Sequence, residues 1–135
     1  MNLLGRTKIV PSIVPVVSNT ELTEAVIDCT GFDRVCHIIA VGAIATGGKL
    51  DYKVEESAKS DGSSASAITG AALTQITDTG GSKIYAIDVP VNPAKPYQIA
   101  VGVAATANVA VSAVAVLYEG SGTFPKTAAT QAIIL

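Results

Sequence analysis

Tryptophan is absent from this chain, phenylalanine occurs twice, and histidine and methionine once each. Broad aromatic rings build the walls on which sugars stack and which line most deep ligand pockets. Their scarcity argues against a glycoside hydrolase cleft, which would also need paired carboxylates among such rings. Four tyrosines, Tyr52, Tyr85, Tyr97 and Tyr118, leave a glycan-binding or adhesion module as an alternative.

The single histidine, His37, sits inside the apolar stretch RVCHIIAVG, where a hydrogen-bonded core or interface role is the ordinary one. Cys36 precedes it, so on a strand the two side chains leave opposite faces and cannot act together as nucleophile and base. No G-x-S-x-G or comparable nucleophile motif is present. Two cysteines, Cys29 and Cys36, with one histidine and no C-x-x-C fall short of a zinc set. The acids Glu55, Glu56, Asp61 and Asp78 follow no D-x-D-x-D-G order and read as solvated loop carboxylates. Gly47-Gly48 and Gly80-Gly81 open no helix and precede no Lys-Ser/Thr step, so they read as turns and not as anion cradles. The chain is expected to be no enzyme, with no metal and no cofactor.

Other shortages exclude partners. Nine basic residues against eleven acidic ones give a net charge of −2, and the basic residues form no concentrated patch, so nucleic acid is not an expected partner. No apolar run approaches the ~20 residues a membrane helix needs. The N-terminal MNLLGRTKIVPSIVPVV is interrupted by Pro11 and Pro15 and lacks a signal-peptide pattern, so a cleaved secretory signal is not expected. Cys29 and Cys36 flank a turn at Thr30–Asp33 that could bring them together, but a pair in a chain able to build a core is more often reduced.

What the chain has in quantity is small and β-branched residues in alternation. In PYQIAVGVA, Tyr97, Ile99, Val101 and Val103 share one side of a strand. In VAVSAVAVLY, Val109, Val111, Ala113, Ala115 and Leu117 share another. Both faces of both limbs are apolar or small, which predicts cover on both sides, by a second sheet and by another subunit. Thr106-Ala107-Asn108 between them reads as a hairpin turn. RVCHIIAVGAI and KLDYKVEES, joined by ATGG, read as a second hairpin. In KLDYKVEES, Leu50, Tyr52 and Val54 oppose Asp51, Lys53 and Glu55, the pattern of a half-exposed strand. Residues 57–67 form a Ser/Gly loop, ITGAALTQI is a strand broken at Gly70 or a turn of helix, and SKIYAIDV is a further strand.

About seven or eight short strands, with turn signals every ~8–12 residues and no long helix, predict an all-β, single-domain antiparallel β-sandwich of jelly-roll or immunoglobulin-like type. Residues 21–118 form the sandwich, flanked by an N-terminal arm over 1–20 and a C-terminal arm over 119–135. Pro11 and Pro15 suit an edge strand or an extended segment on a neighbour. Candidate interface residues are Ile9, Val10, Ile13, Val14 and Val16 in the first arm and Phe124, Ile133, Ile134 and Leu135 in the second.

The succession GFDRV, an apolar strand ending AVGAI, KLDYKVEES, a loop with SDGS, ITGAALTQIT and a late SAVAVL resembles small virion proteins of tailed bacteriophages, of the head decoration or capsid-stabilising (cement) type. The resemblance spans about residues 28–118 and consists of strand and turn patterns. It implies a β-sandwich that forms a homo-oligomer, a trimer being the usual state, and binds the major capsid protein on the capsid exterior after assembly in the bacterial host cytoplasm. It assigns no residue-level site. A tail or head-fibre base subunit is the alternative within the same class.

Overall fold

The computed structural model describes residues 5–22 and 25–120. Eight strands account for most of them: β1 (Lys8–Ser18), β2 (Ala25–Asp28), β3 (Arg34–Ile44), β4 (Lys49–Ser57), β5 (Ser66–Ala72), β6 (Lys83–Pro90), β7 (Tyr97–Ala105) and β8 (Val109–Tyr118). One 3-10 turn, Asp78–Gly80, lies between β5 and β6.

The strands form two four-stranded sheets, ordered β1-β8-β3-β6 and β2-β7-β4-β5, with every pairing antiparallel. The first strand pairs with the eighth, the second with the seventh, the third with the sixth and the fourth with the fifth. This is a long two-stranded ribbon rolled up on itself, and it makes the sandwich a jelly roll.

The order corrects two expectations. Lys49–Ser57 is not the hairpin partner of Arg34–Ile44, because β3 lies in the first sheet and β4 in the second. Likewise Tyr97–Ala105 and Val109–Tyr118 are not a hairpin: the turn after Ala105 carries the chain from one sheet to the other. Thr106 adopts φ 72 in that corner, a left-handed conformation unusual for a β-branched residue. Each of these strands is interior to its sheet and faces the other sheet, which is why its inner side is apolar.

The core lies between the sheets. From the first sheet Val35, Ile39, Val111 and Leu117 point inward; from the second come Leu50, Tyr52 and Val54, all at most 4% exposed. The alternation in β4 is as expected, with Asp51 and Lys53 exposed on the other side. The inward side of β7 is small, Ala100, Gly102 and Ala104, and Gly102 lets Leu22 and Ile13 close over it. A Cβ there would lie 2.7 Å from Leu22 Cδ1 and 3.2 Å from Ile13 Cδ1.

Residues 8–18, expected as part of an arm, form the edge strand β1, paired with β8 from Lys8↔Leu117 to Ser18↔Val109. The register slips between Pro11 and Ile13 and again between Ile13 and Val16. Proline has no N–H to give a ladder and is tolerated at such an edge. Gly70 takes φ 82 within β5, the break expected there. The expected C-terminal arm lies outside the described residues from 121 onward.

Candidate interaction surface

The two sheets turn different outer faces to solvent. On the second sheet the outward positions of β4 are Lys49, Asp51, Lys53 and Glu55, a charged row of alternating sign. Beside it Ile99, although outward, is only 3% exposed. The loop between β4 and β5 folds over it and brings Gly62 against Ile99 and Val26. Val26 stays 39% exposed there and Val101 and Val103 are half-buried, so this face mixes a charged row with a smaller apolar strip.

On the first sheet the outward positions follow from the register. Ile9 opposes Val116 and Pro11 opposes Val114; Cys36, Ile38 and Ala40 continue the same face on β3, with Ala86 and Ile84 on β6. Ile84 is 73% exposed, Val17 64% and Val114 36%. Ser112 interrupts the apolar surface near its centre. A shallow groove of about 540 Å³ runs over the small residues Ala40, Gly42, Ala110 and Ser112, beside Val16 and Val17.

Charge enters this face at one end. Arg34 Nη2 lies 2.9 Å from Asp88 Oδ1, and Arg34 Nε donates to the same oxygen at 3.0 Å and to Tyr118 Oη at 3.2 Å. The Tyr118 hydroxyl donates to the other Asp88 oxygen. The hydrogen bond to Asp88 holds the Tyr118 phenol up from its ordinary pKa, and the bonds to Tyr118 and Asp88 raise Arg34. The cluster is satisfied within the chain. Cys36 sits beside it, half-buried and unbridged, its thiol raised by desolvation.

The candidate interface residues separate. Ile9 is a half-buried outer residue, Val10 packs against the core, and Ile13, at 3% exposure, belongs to the core itself. Val14 is 70% exposed, in the register shift between Ile13 and Val16, and Val16 is 40% exposed. Phe124, Ile133, Ile134 and Leu135 lie outside the described residues. The two bulges send neighbouring residues of β1 to opposite destinations, which the apolar residues between Pro11 and Pro15 do not show.

The groups considered for chemistry are dispersed. His37 is fully buried, with Nε2 2.8 Å from Gln98 Oε1, and burial lowers its pKa. Cys29 is buried and free, its thiol pushed up to about 12 by desolvation. Asp61 accepts from the Ser63 amide at 2.9 Å, Asp78 from the Gly47 amide at 2.9 Å, and Glu55 lies 3.4 Å from Lys53. Among the described residues no three of His, Cys, Asp or Glu gather where they could hold a metal ion. The tyrosines line no common groove: Tyr52 is in the core, Tyr85 donates to Gly80 O at 2.8 Å, Tyr118 is on the first sheet and Tyr97 on the second. Among the described residues no helix is long and apolar enough to cross a membrane.

No family model matches the chain, and no curated protein matches it. Among solved structures it is similar to a chain of infectious bursal disease virus, Gx strain, with TM-score 0.52 and 11% identity over 89% of this chain. It spans 33% of that chain, about a third of its length. A second match, over 90% of this chain and 96% of the other at 14% identity and TM-score 0.39, is to a structure described as Bacillus endospore appendages that form disulfide-linked pili. The viral likeness is one of fold, and it supports the assignment of this chain to the β-sandwich class.

Proposed function

We propose that this chain is a structural virion protein, of the kind that decorates and stabilises the head of a tailed bacteriophage by binding between major capsid protein subunits. The observation that carries the proposal is the outer face of the β1-β8-β3-β6 sheet. It is broad and apolar, the Arg34–Asp88 ion pair on it is internal, and it stands on a sandwich whose other face carries a full charged row. A protein that works through surfaces needs such a face, and large exposed apolar patches mark interaction sites. The jelly-roll fold, shared with a viral chain, is compatible with the role, and the strand and turn resemblance points the same way.

The mechanism is linkage. A protein that binds the assembled lattice and not its free subunits shifts the equilibrium toward the lattice by an amount set by its concentration relative to its Kd. No bond is made or broken, and no cofactor enters.

The test is co-sedimentation with capsids built from the major capsid protein of the same genome and stripped of accessory proteins. The proposal expects saturable binding with a fixed number of copies per capsid. Protein that stays in the supernatant at every ratio overturns it and returns the choice to a tail or fibre-base subunit.

A further inference from the structure

The outer face of the first sheet carries a raised part and a recessed part in one row. Ala40 of β3 pairs with Ile84 of β6 on one side and with Ser112 of β8 on the other, so these three residues lie side by side across three strands. Ile84, 73% exposed, stands up at one end. At the other end Ser112 and Ala110 form the floor of the groove, with Val16 and Val17 beside it. Neighbouring strands are about 4.8 Å apart, so knob and groove are separated by about 10 Å, with β3 midway between them.

We propose that this face packs on the same face of a second copy of the chain, about a two-fold axis running along β3. Ile84 of each copy then enters the other's groove over Ser112. A two-fold there exchanges the β6 and β8 sides of the facing sheets at one level of the strands, which is where knob and groove sit. The inference deepens the reading of the chain as an assembling structural subunit, and rests on it only for the purpose that association would serve.

Two further observations favour a second copy as occupant. Arg34 and Asp88 satisfy each other at 2.9 Å, so among the described residues the face offers no unpaired charge for an oppositely charged partner to neutralise, and two like faces meet without repulsion. The outer face of the other sheet would bring Lys49, Asp51 and Lys53 into the contact and bury them at a desolvation cost. Four strands and about nine residues of length give a face of roughly 600 Å² in projection, the order of what a standard interface takes from each partner. The arrangement is isologous, so it yields a dimer or an even-numbered assembly rather than the trimer the resemblance implies.

The experiment uses the full chain without capsids, so its result stands apart from capsid binding. Mass is followed by sedimentation across a concentration series, together with alkylation of Cys36, which lies in the proposed contact, by excess reagent. The inference expects dimerisation, with Cys36 alkylation slowing as protein concentration rises. Ile84→Ala and Ser112→Leu, both on the outer face, each weaken dimerisation by roughly tenfold or more. The double variant moves the knob to the other side of the row and recovers a large part of the loss, while Lys53→Glu on the opposite sheet changes nothing. A chain that stays monomeric at all concentrations overturns the inference, whether the face is bare or covered by residues 121–135 of its own chain. So does an oligomer indifferent to both single substitutions. Capsid binding retained in either case leaves the structural reading intact; dimerisation without capsid binding removes that reading and leaves the interface.

Discussion

His37 Nε2 lies 2.8 Å from Gln98 Oε1 at the centre of the sandwich, joining β3 of one sheet to β7 of the other. Because the amide oxygen only accepts, Nε2 carries the proton, and Nδ1 is left as a buried acceptor without a partner. Gln98 is held in turn by a long contact from its Nε2 to Pro90 O at 3.4 Å. Replacing Gln98 by Leu strands the His37 N–H and is expected to cost about 1–3 kcal/mol. The double variant His37→Leu/Gln98→Leu loses less than the two single losses together. Urea unfolding of the four proteins in the cycle measures this.

The same pair sets an acid limit. Burial lowers the His37 pKa in the folded state below its ordinary value of about 6.5, so the unfolded chain takes up a proton more readily. The contribution is fully present above about pH 6.5 and is lost as pH falls toward the lowered folded value. Unfolding free energy is expected to decline below about pH 6.5 in the native protein and to lose that component in His37→Gln. An unchanged slope in the variant would place the acid sensitivity elsewhere.

Alkali acts through the other buried groups. Cys29 and Tyr52 are both pushed up to about 12 by desolvation, with Ser12 partly offsetting the effect at Tyr52. Their folded pKa values lie above the unfolded ones, so stability is full below the unfolded values of about 8.5 and 10 and falls as pH rises past them. At pH 8, excess alkylating reagent should modify Cys36 and leave Cys29 untouched until the protein unfolds, as read by mass spectrometry of the digested chain. The Tyr52 hydroxyl makes no well-formed hydrogen bond, Ser12 facing it without good geometry. Tyr52→Phe is therefore expected to change stability by less than about 1 kcal/mol.

Two backbone positions carry opposite expectations. Thr106 holds φ 72 in the corner between β7 and β8, and Thr106→Gly removes that strain at some cost in chain entropy. A net gain of about 0.5 kcal/mol is expected in thermal unfolding. Gly102→Val drives a branched side chain into Leu22 and Ile13 and should lose about 1–3 kcal/mol.

Strands were legible in this sequence because small and β-branched residues alternate over long stretches, and β4, with Leu50, Tyr52 and Val54 opposed to Asp51 and Lys53, is the plainest case. Their pairing was not. Alternation says which residues share a face and is silent on which sheet the strand joins. The turns after Ile44 and Ala105 are short enough for a hairpin and long enough for a corner, and both are corners. Val114 and Val116 on the outer side of β8 are as apolar as the inward Val109 and Val111, so alternation alone marks no solvent side on that strand. The exposure of Ile84 on that face has no local signal, because its neighbour Ala40 lies far away in the chain. Gln98 escaped for the same reason: only the fold brings it to His37.

Whether the protein stabilises an assembled capsid lattice by binding it is read from the temperature at which stripped capsids come apart as the protein is titrated onto them. The disassembly temperature is expected to climb with occupancy and to level off when the sites are filled. Capsids that bind the protein to saturation yet come apart at an unchanged temperature would contradict the proposed stabilisation.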